Sequence, residues 1–134
     1  MKGRRLIARI LFFLYLAAVL VLCFGQFKDA PSVPWTLLGI PSDKLVHFCM
    51  FFPFPILAFL AFDKYTETPR STFLFSGITF LVGVALAFGT EWGQAHLTNY
   101  RSGDLMDLLA DITALVISTV LVIFLDTQNQ KKNL

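Results

Sequence analysis

The chain reads as an all-α, four-helix transmembrane bundle with both termini cytoplasmic, and three observations carry that reading. The 134 residues are 56% hydrophobic and 15% charged, with 15 phenylalanines and a mean hydropathy of +0.68. A soluble domain of this size carries about a quarter charged residues. Four apolar runs, at 6–24, 45–62, 72–90 and 105–125, are each long enough to cross about 30 Å of hydrocarbon as a helix. Lys and Arg then gather on one side of the resulting four-span arrangement. No run alternates polar and apolar residues as a β-barrel strand does. The length allows one compact unit, a single domain over residues 1–134.

The first run follows Lys2, Arg4 and Arg5, as a secretory signal would. Its core at 10–24 is long for a signal, and Cys23-Phe24-Gly25-Gln26-Phe27 offers no small-x-small cleavage site, so a retained anchor helix is expected. Arg9, one turn inside, can snorkel back to the head groups. The connection at 25–42 holds Pro31, Pro34, Trp35, Gly39 and Pro41, which argue against helix. Trp35 and Trp92 suit interfacial positions on one side of the membrane.

The second run opens at Ser42-Asp43, either of which can cap its first amides. Phe51-Phe52-Pro53-Phe54-Pro55 at its centre loses two backbone donors, which predicts a kink. The connection at 63–71 is short and polar. In the third run Gly77, Gly83, Gly89, Ala85 and Ala87 would let neighbouring backbones approach closely, as expected of a central helix. Cys23 and Cys49 fall inside spans and read as small apolar core residues; no CxxC or Cys/His cluster with zinc spacing occurs.

Four spans place Lys2, Arg4, Arg5, Arg9, Lys64, Arg70, Lys131 and Lys132 on one side, eight of the eleven basic residues. Asp63, Glu67 and Asp126 reduce that side to +5. The other side has Lys28, Lys44 and Arg101 against Asp29, Asp43, Glu91, Asp104, Asp107 and Asp111, for −3. The basic side is therefore expected to be cytoplasmic. The expected location is the cytoplasmic (inner) membrane, multi-pass, with the acidic side facing outward.

The outer ends of three spans carry a polar constellation. Asp43 and His47 are four residues apart, and Glu91 and Gln94 three apart, so each pair shares a helix face. Asp104, Asp107 and Asp111 form a stripe descending about 10 Å at 1.5 Å per residue. Charges at this depth are costly unless they face one another or a hydrated cavity. Arg101 can hold a carboxylate or phosphate at two points, and Lys44 adds a second cation.

Three functional readings stay open at this point. The carboxylates with His47 could take a divalent cation. Arg101 and Lys44 could hold a lipid phosphate while His47, Glu91 or Asp107 serves as general acid or base. Or Asp43, Lys44, His47, Glu91, Gln94, Arg101, Asp104, Asp107 and Asp111 could bind a ligand without covalent chemistry. A structural network locking helices together is the plain alternative. His96 is expected in an exposed, solvated loop. No metal or cofactor is assigned. Membrane lipids are the expected partners, and no nucleic acid is expected.

At these residues the chain resembles the VanZ-like family of small bacterial membrane proteins. The pattern is Asp43-Lys44-x-x-His47-Phe48, then Glu91-x-x-Gln94, then Arg101-x-x-Asp104-x-x-Asp107 with a polar residue at 111. The matching motifs run from Asp43 to Asp111, about half the chain. Asp111 and Ala114 depart from the family's preference for Asn and Gly at these positions, so the role of Asp111 is not carried over. The resemblance implies a four-helix membrane protein of the cell envelope, in a family named for a member linked to teicoplanin resistance. An envelope ligand, lipid or lipid-linked, is the corresponding expectation.

Overall fold

The computed structural model describes residues 2–24, 36–37, 39–97 and 105–134. Its helices are α1 (Lys2–Phe24), α2 (Ser42–Phe51), α3 (Pro53–Ala61), α4 (Pro69–Leu97) and α5 (Leu105–Lys132). Four stretches are long and apolar enough to cross a membrane: α1, Lys44–Ala61 within α2 and α3, α4, and α5. The expected spans are thus present, in an all-helical bundle. A two-residue antiparallel pair, β1 (Thr36–Leu37) with β2 (Ile40–Pro41), precedes α2. Gly39, at φ 81°, makes the turn between them, where a side chain would be strained.

The helices run further than the apolar windows predict. α4 continues through Glu91 and Gln94 to Leu97, and α5 reaches Lys132, because a helix needs a greasy face only where it meets lipid. This corrects the expectation for His96: it is exposed, but lies in the last turn of α4 with its ring 5.0 Å from that of Trp92. Trp92 is itself exposed. Trp35 lies outside the described residues.

The two prolines interrupt the second span at one residue. Phe52 retains helical torsions (φ −56°, ψ −41°), and its N–H donates to the Phe48 carbonyl at 3.0 Å. Pro53 then starts α3, a first-turn position where the missing N–H costs nothing. The Tyr15 hydroxyl of α1 donates to the Met50 carbonyl in the turn before this junction.

α4 starts on a reciprocal cap. Ser71 N–H donates to Thr68 Oγ1 at 3.1 Å, and Thr68 N–H donates to Ser71 Oγ at 3.0 Å, with Pro69 as the first helical residue. Its buried stripe is Thr72, Ser76, Thr79, Gly83, Ala87, Thr90, Glu91, Gly93 and Gln94, without a single large aliphatic side chain. Small residues allow the close α4–α5 packing that lipid gives no hydrophobic reason to form. Of the glycines flagged by sequence, only Gly83 serves this purpose: a Cβ there would lie 2.8 Å from Leu115 and 3.1 Å from Phe54. Gly77 and Gly89 face open space.

The central role expected of α4 belongs instead to α5. It packs on α2, α3 and α4 and buries the largest share of its span, whereas α1 packs on α3 and α4. Phe12 joins α1 to α3, its ring 5.7 Å from that of Phe54 and 6.0 Å from that of Phe62. Cys23 is in the core as expected, but Cys49 is exposed. Between α1 and α2 an apolar cleft of about 440 Å³ is lined by Tyr15, Val19, Leu45, Cys49 and Met50, among others.

Candidate functional site

His47 is the hub of the polar constellation. α2 carries it one turn past Lys44, and α5 carries Asp107 and Asp111 one turn apart, so two side chains from each helix meet along their contact. α4 contributes Glu91 from the opposite side. His47 Nδ1 is within hydrogen-bond distance of Asp111 Oδ1, at 3.0 Å, and Glu91 Oε1 lies 3.8 Å from the same nitrogen. The other ring nitrogen, Nε2, is 3.4 Å from Asp107 Oδ2. Lys44 Nζ closes the set at 2.8 Å from Asp107 Oδ1.

All of these groups are withdrawn from solvent. His47, Glu91 and Asp107 are buried, and Asp111 is completely so at 0% exposure. Asp111 Oδ2 has no hydrogen-bond partner among the described residues. Removing an ionised carboxylate from water costs several kcal/mol even after relaxation, about that much for each ion. Four ionisable groups so close together survive only where opposite charges, hydrogen-bond donors or a bound group compensate them.

Not every expected member joins the hub. Gln94 is buried, but its side-chain amide donates to the Cys23 carbonyl at 3.0 Å and ties α4 to the end of α1. That carbonyl belongs to the last turn of α1, where helical carbonyls lack partners of their own. Asp43 lies in the first turn of α2, with its side chain outside the described set; Arg101 and Asp104 are outside the described residues altogether. Lys44, a candidate phosphate holder beside Arg101 in one of the sequence readings, is engaged with Asp107.

A second polar group at the opposite end was not anticipated. Asp63 holds both Arg4 and Arg5, the latter at 2.6 Å, and Arg9 Nε donates to the Ala61 carbonyl at 3.1 Å. Asp126 accepts from Thr72 at 2.5 Å and from Gln130 at 3.0 Å, and Gln130 also donates to the Thr66 carbonyl. Thr72 was visible only as a span boundary, and nothing in its spacing names Asp126 as a partner.

Ligand atoms of His47, Glu91 and Asp111 all lie within 4.8 Å of one another, which is within the reach of a single bound cation. The same imidazole, held between carboxylates on both nitrogens, is also a unit able to take up and give back a proton. No family model, curated protein or solved structure matches the chain.

Proposed function

We propose that this chain is a VanZ-like protein of the bacterial cytoplasmic membrane whose buried polar centre binds a polar or lipid-linked ligand of the cell envelope. The observation that carries the reading is the convergence of Lys44, His47, Glu91, Asp107 and Asp111 from three helices at one end of the bundle. Ionisable groups inside a membrane domain are expensive to keep, and a charged ligand is a common reason for keeping them. The apolar cleft between α1 and α2 lies on the adjoining turns of α2, at Leu45, Val46 and Cys49, so headgroup chemistry and chain-like volume are neighbours.

Both termini are assigned to the cytoplasm on the charge count, +5 against −3. Thiol labelling of a cysteine introduced at Ser102, in a background lacking Cys23 and Cys49, tests this. Labelling by an impermeant reagent in intact cells supports the assignment, and protection until permeabilisation overturns it.

The ligand is tested by lipid mass spectrometry on protein extracted in mild detergent. One envelope lipid class is expected to be enriched over the host membrane, and Lys44→Met and His47→Gln are expected to lose the enrichment at unchanged elution volume. A lipid profile identical to bulk membrane in the wild type sinks the reading.

The contact of His47 with Asp111 on one nitrogen and Asp107 near the other favours a second reading, an enzyme acting on a phospholipid or polyprenyl phosphate. His47, Glu91 and Asp107 would then be its acid–base groups. Its signature is turnover of such a lipid that Glu91→Gln and Asp107→Asn abolish without loss of folding; normal turnover in both variants rejects it.

A further inference from the structure

We infer that His47, Glu91 and Asp111 form a binding site for one divalent transition-metal cation. The inference concerns the centre described above and rests on the ligand-binding reading for the purpose that the ion serves.

Geometry comes first. A tetrahedral ion with bonds of about 2.0–2.1 Å holds its ligand atoms roughly 3.3 Å apart. His47 Nδ1 lies 3.0 Å from Asp111 Oδ1 and 3.8 Å from Glu91 Oε1, distances on either side of that value. Each ligand stands on a different helix, α2, α4 or α5, so the ion would pin three spans together. One imidazole nitrogen and two carboxylate oxygens suit Zn²⁺, Mn²⁺ or Fe²⁺, and three protein ligands leave at least one position for water or a ligand oxygen.

Charge is the second argument. The carboxylates of Glu91, Asp107 and Asp111 all face one imidazole, and a divalent cation among them offsets their mutual repulsion more strongly than a monovalent one.

The third argument is the surroundings of the ligands. Metal-binding histidines almost always give their second nitrogen to a carboxylate or carbonyl, which fixes the ring. With Nδ1 turned to the ion, Nε2–H points at Asp107 Oδ2, 3.4 Å away, and Lys44 holds the other oxygen of that carboxylate at 2.8 Å. Asp111 supplies an independent sign: it is fully buried, and its Oδ2 has no hydrogen-bond partner among the described residues. An ion-pair network alone leaves that oxygen stranded, whereas a cation held by Asp111 lies beside both of its oxygens.

The site is tested with Zn²⁺ and Mn²⁺ on the full chain in detergent, after removal of any purification tag. One ion per chain is expected, together with a higher melting temperature that a chelator reverses. Glu91→Gln and Asp111→Asn preserve shape, and each is expected to weaken binding on the order of 100-fold or more; Asp107→Asn, acting through His47, is expected to weaken it by about 10-fold. His96→Ala should change nothing. Substoichiometric uptake by folded wild type overturns the proposal, as does binding that survives Asp111→Asn but is lost in His96→Ala.

Should Asp111→Asn fail to fold, wild-type protein loaded with Co²⁺ decides the matter. A spectrum of nitrogen and oxygen ligation supports the site, and a thiolate charge-transfer band or no spectrum overturns it. Lipid analysis on the same samples separates the two readings. Enrichment without a bound ion removes the metal site alone, and a bound ion without enrichment removes the ligand reading alone.

Discussion

The two ends of the bundle solve the same electrostatic problem in opposite ways. At one end Asp63 meets two guanidinium groups, and the Arg4 side chain is 60% exposed, so water shares the work. Asp126 is supplied by neutral donors, Thr72 and Gln130. At the other end three carboxylates crowd one imidazole and one ammonium with almost no solvent. The first arrangement is a latch, made of local contacts that close α1 on α3 and α4 on α5. The second concentrates three carboxylates around one imidazole away from water, where each is costly to keep.

The sharpest way to break this comparison is to remove one partner at each end. His47→Ala leaves the fully buried Asp111 without the imidazole it contacts, while Asp107 keeps Lys44; a buried charge that loses its partner costs about 3–5 kcal/mol. Unfolding of purified protein in detergent should therefore show a large loss. Equal losses for His47→Ala and Asp63→Asn would mean that the ends do not differ in kind.

The next effect is steric and independent of charge. Gly83→Ala drives a methyl into Leu115 and Phe54, both buried and unable to retreat, for a cost of about 1–3 kcal/mol in the same assay. Gly77→Ala, facing open space, should be neutral or stabilising by up to about 1 kcal/mol. Gly93→Ala should fall between them. Its methyl meets the Phe24 ring at 2.5 Å, but Phe24 is only half-buried at the end of α1 and can swing aside.

Tyr15→Phe removes the hydroxyl that serves the Met50 carbonyl, an interhelical bond of a kind worth about 0.6 kcal/mol in membranes. Asp63→Asn is expected to cost little, about 0–1 kcal/mol, because the pair is partly exposed. Raising the salt should erase this difference from wild type, since exposed pairs are screened. The His47→Ala deficit should persist.

Spans, their number and the polar end were legible because they depend on short-range rules. Twenty or so apolar residues span a bilayer whatever surrounds them, and the spacings of three and four that put Asp43 with His47, Glu91 with Gln94, and Asp107 with Asp111 on shared faces are properties of single helices. Which atoms meet was not legible, since that depends on the rotation and depth of each helix against the next. Glu91 and Gln94 share a face of α4, yet one approaches His47 and the other serves a carbonyl of α1. Asp111 departs from the VanZ-like pattern that the sequence resembles, and in the structure it is the direct partner of His47. The latch at the Asp63 end left no periodic trace, because its members lie at helix ends and in a short connection.

The inverted stripe of α4 changes what a substitution there means. In a soluble helix the buried face is ranked by greasiness; here it is threonine, serine, glycine and alanine, while leucine and phenylalanine look outward. Size rather than polarity is therefore the currency of this surface. Ser76→Ala removes an oxygen with no hydrogen-bond partner among the described residues and keeps the close approach. Ser76→Leu, more hydrophobic and better suited to lipid, would act as a wedge between α4 and α5.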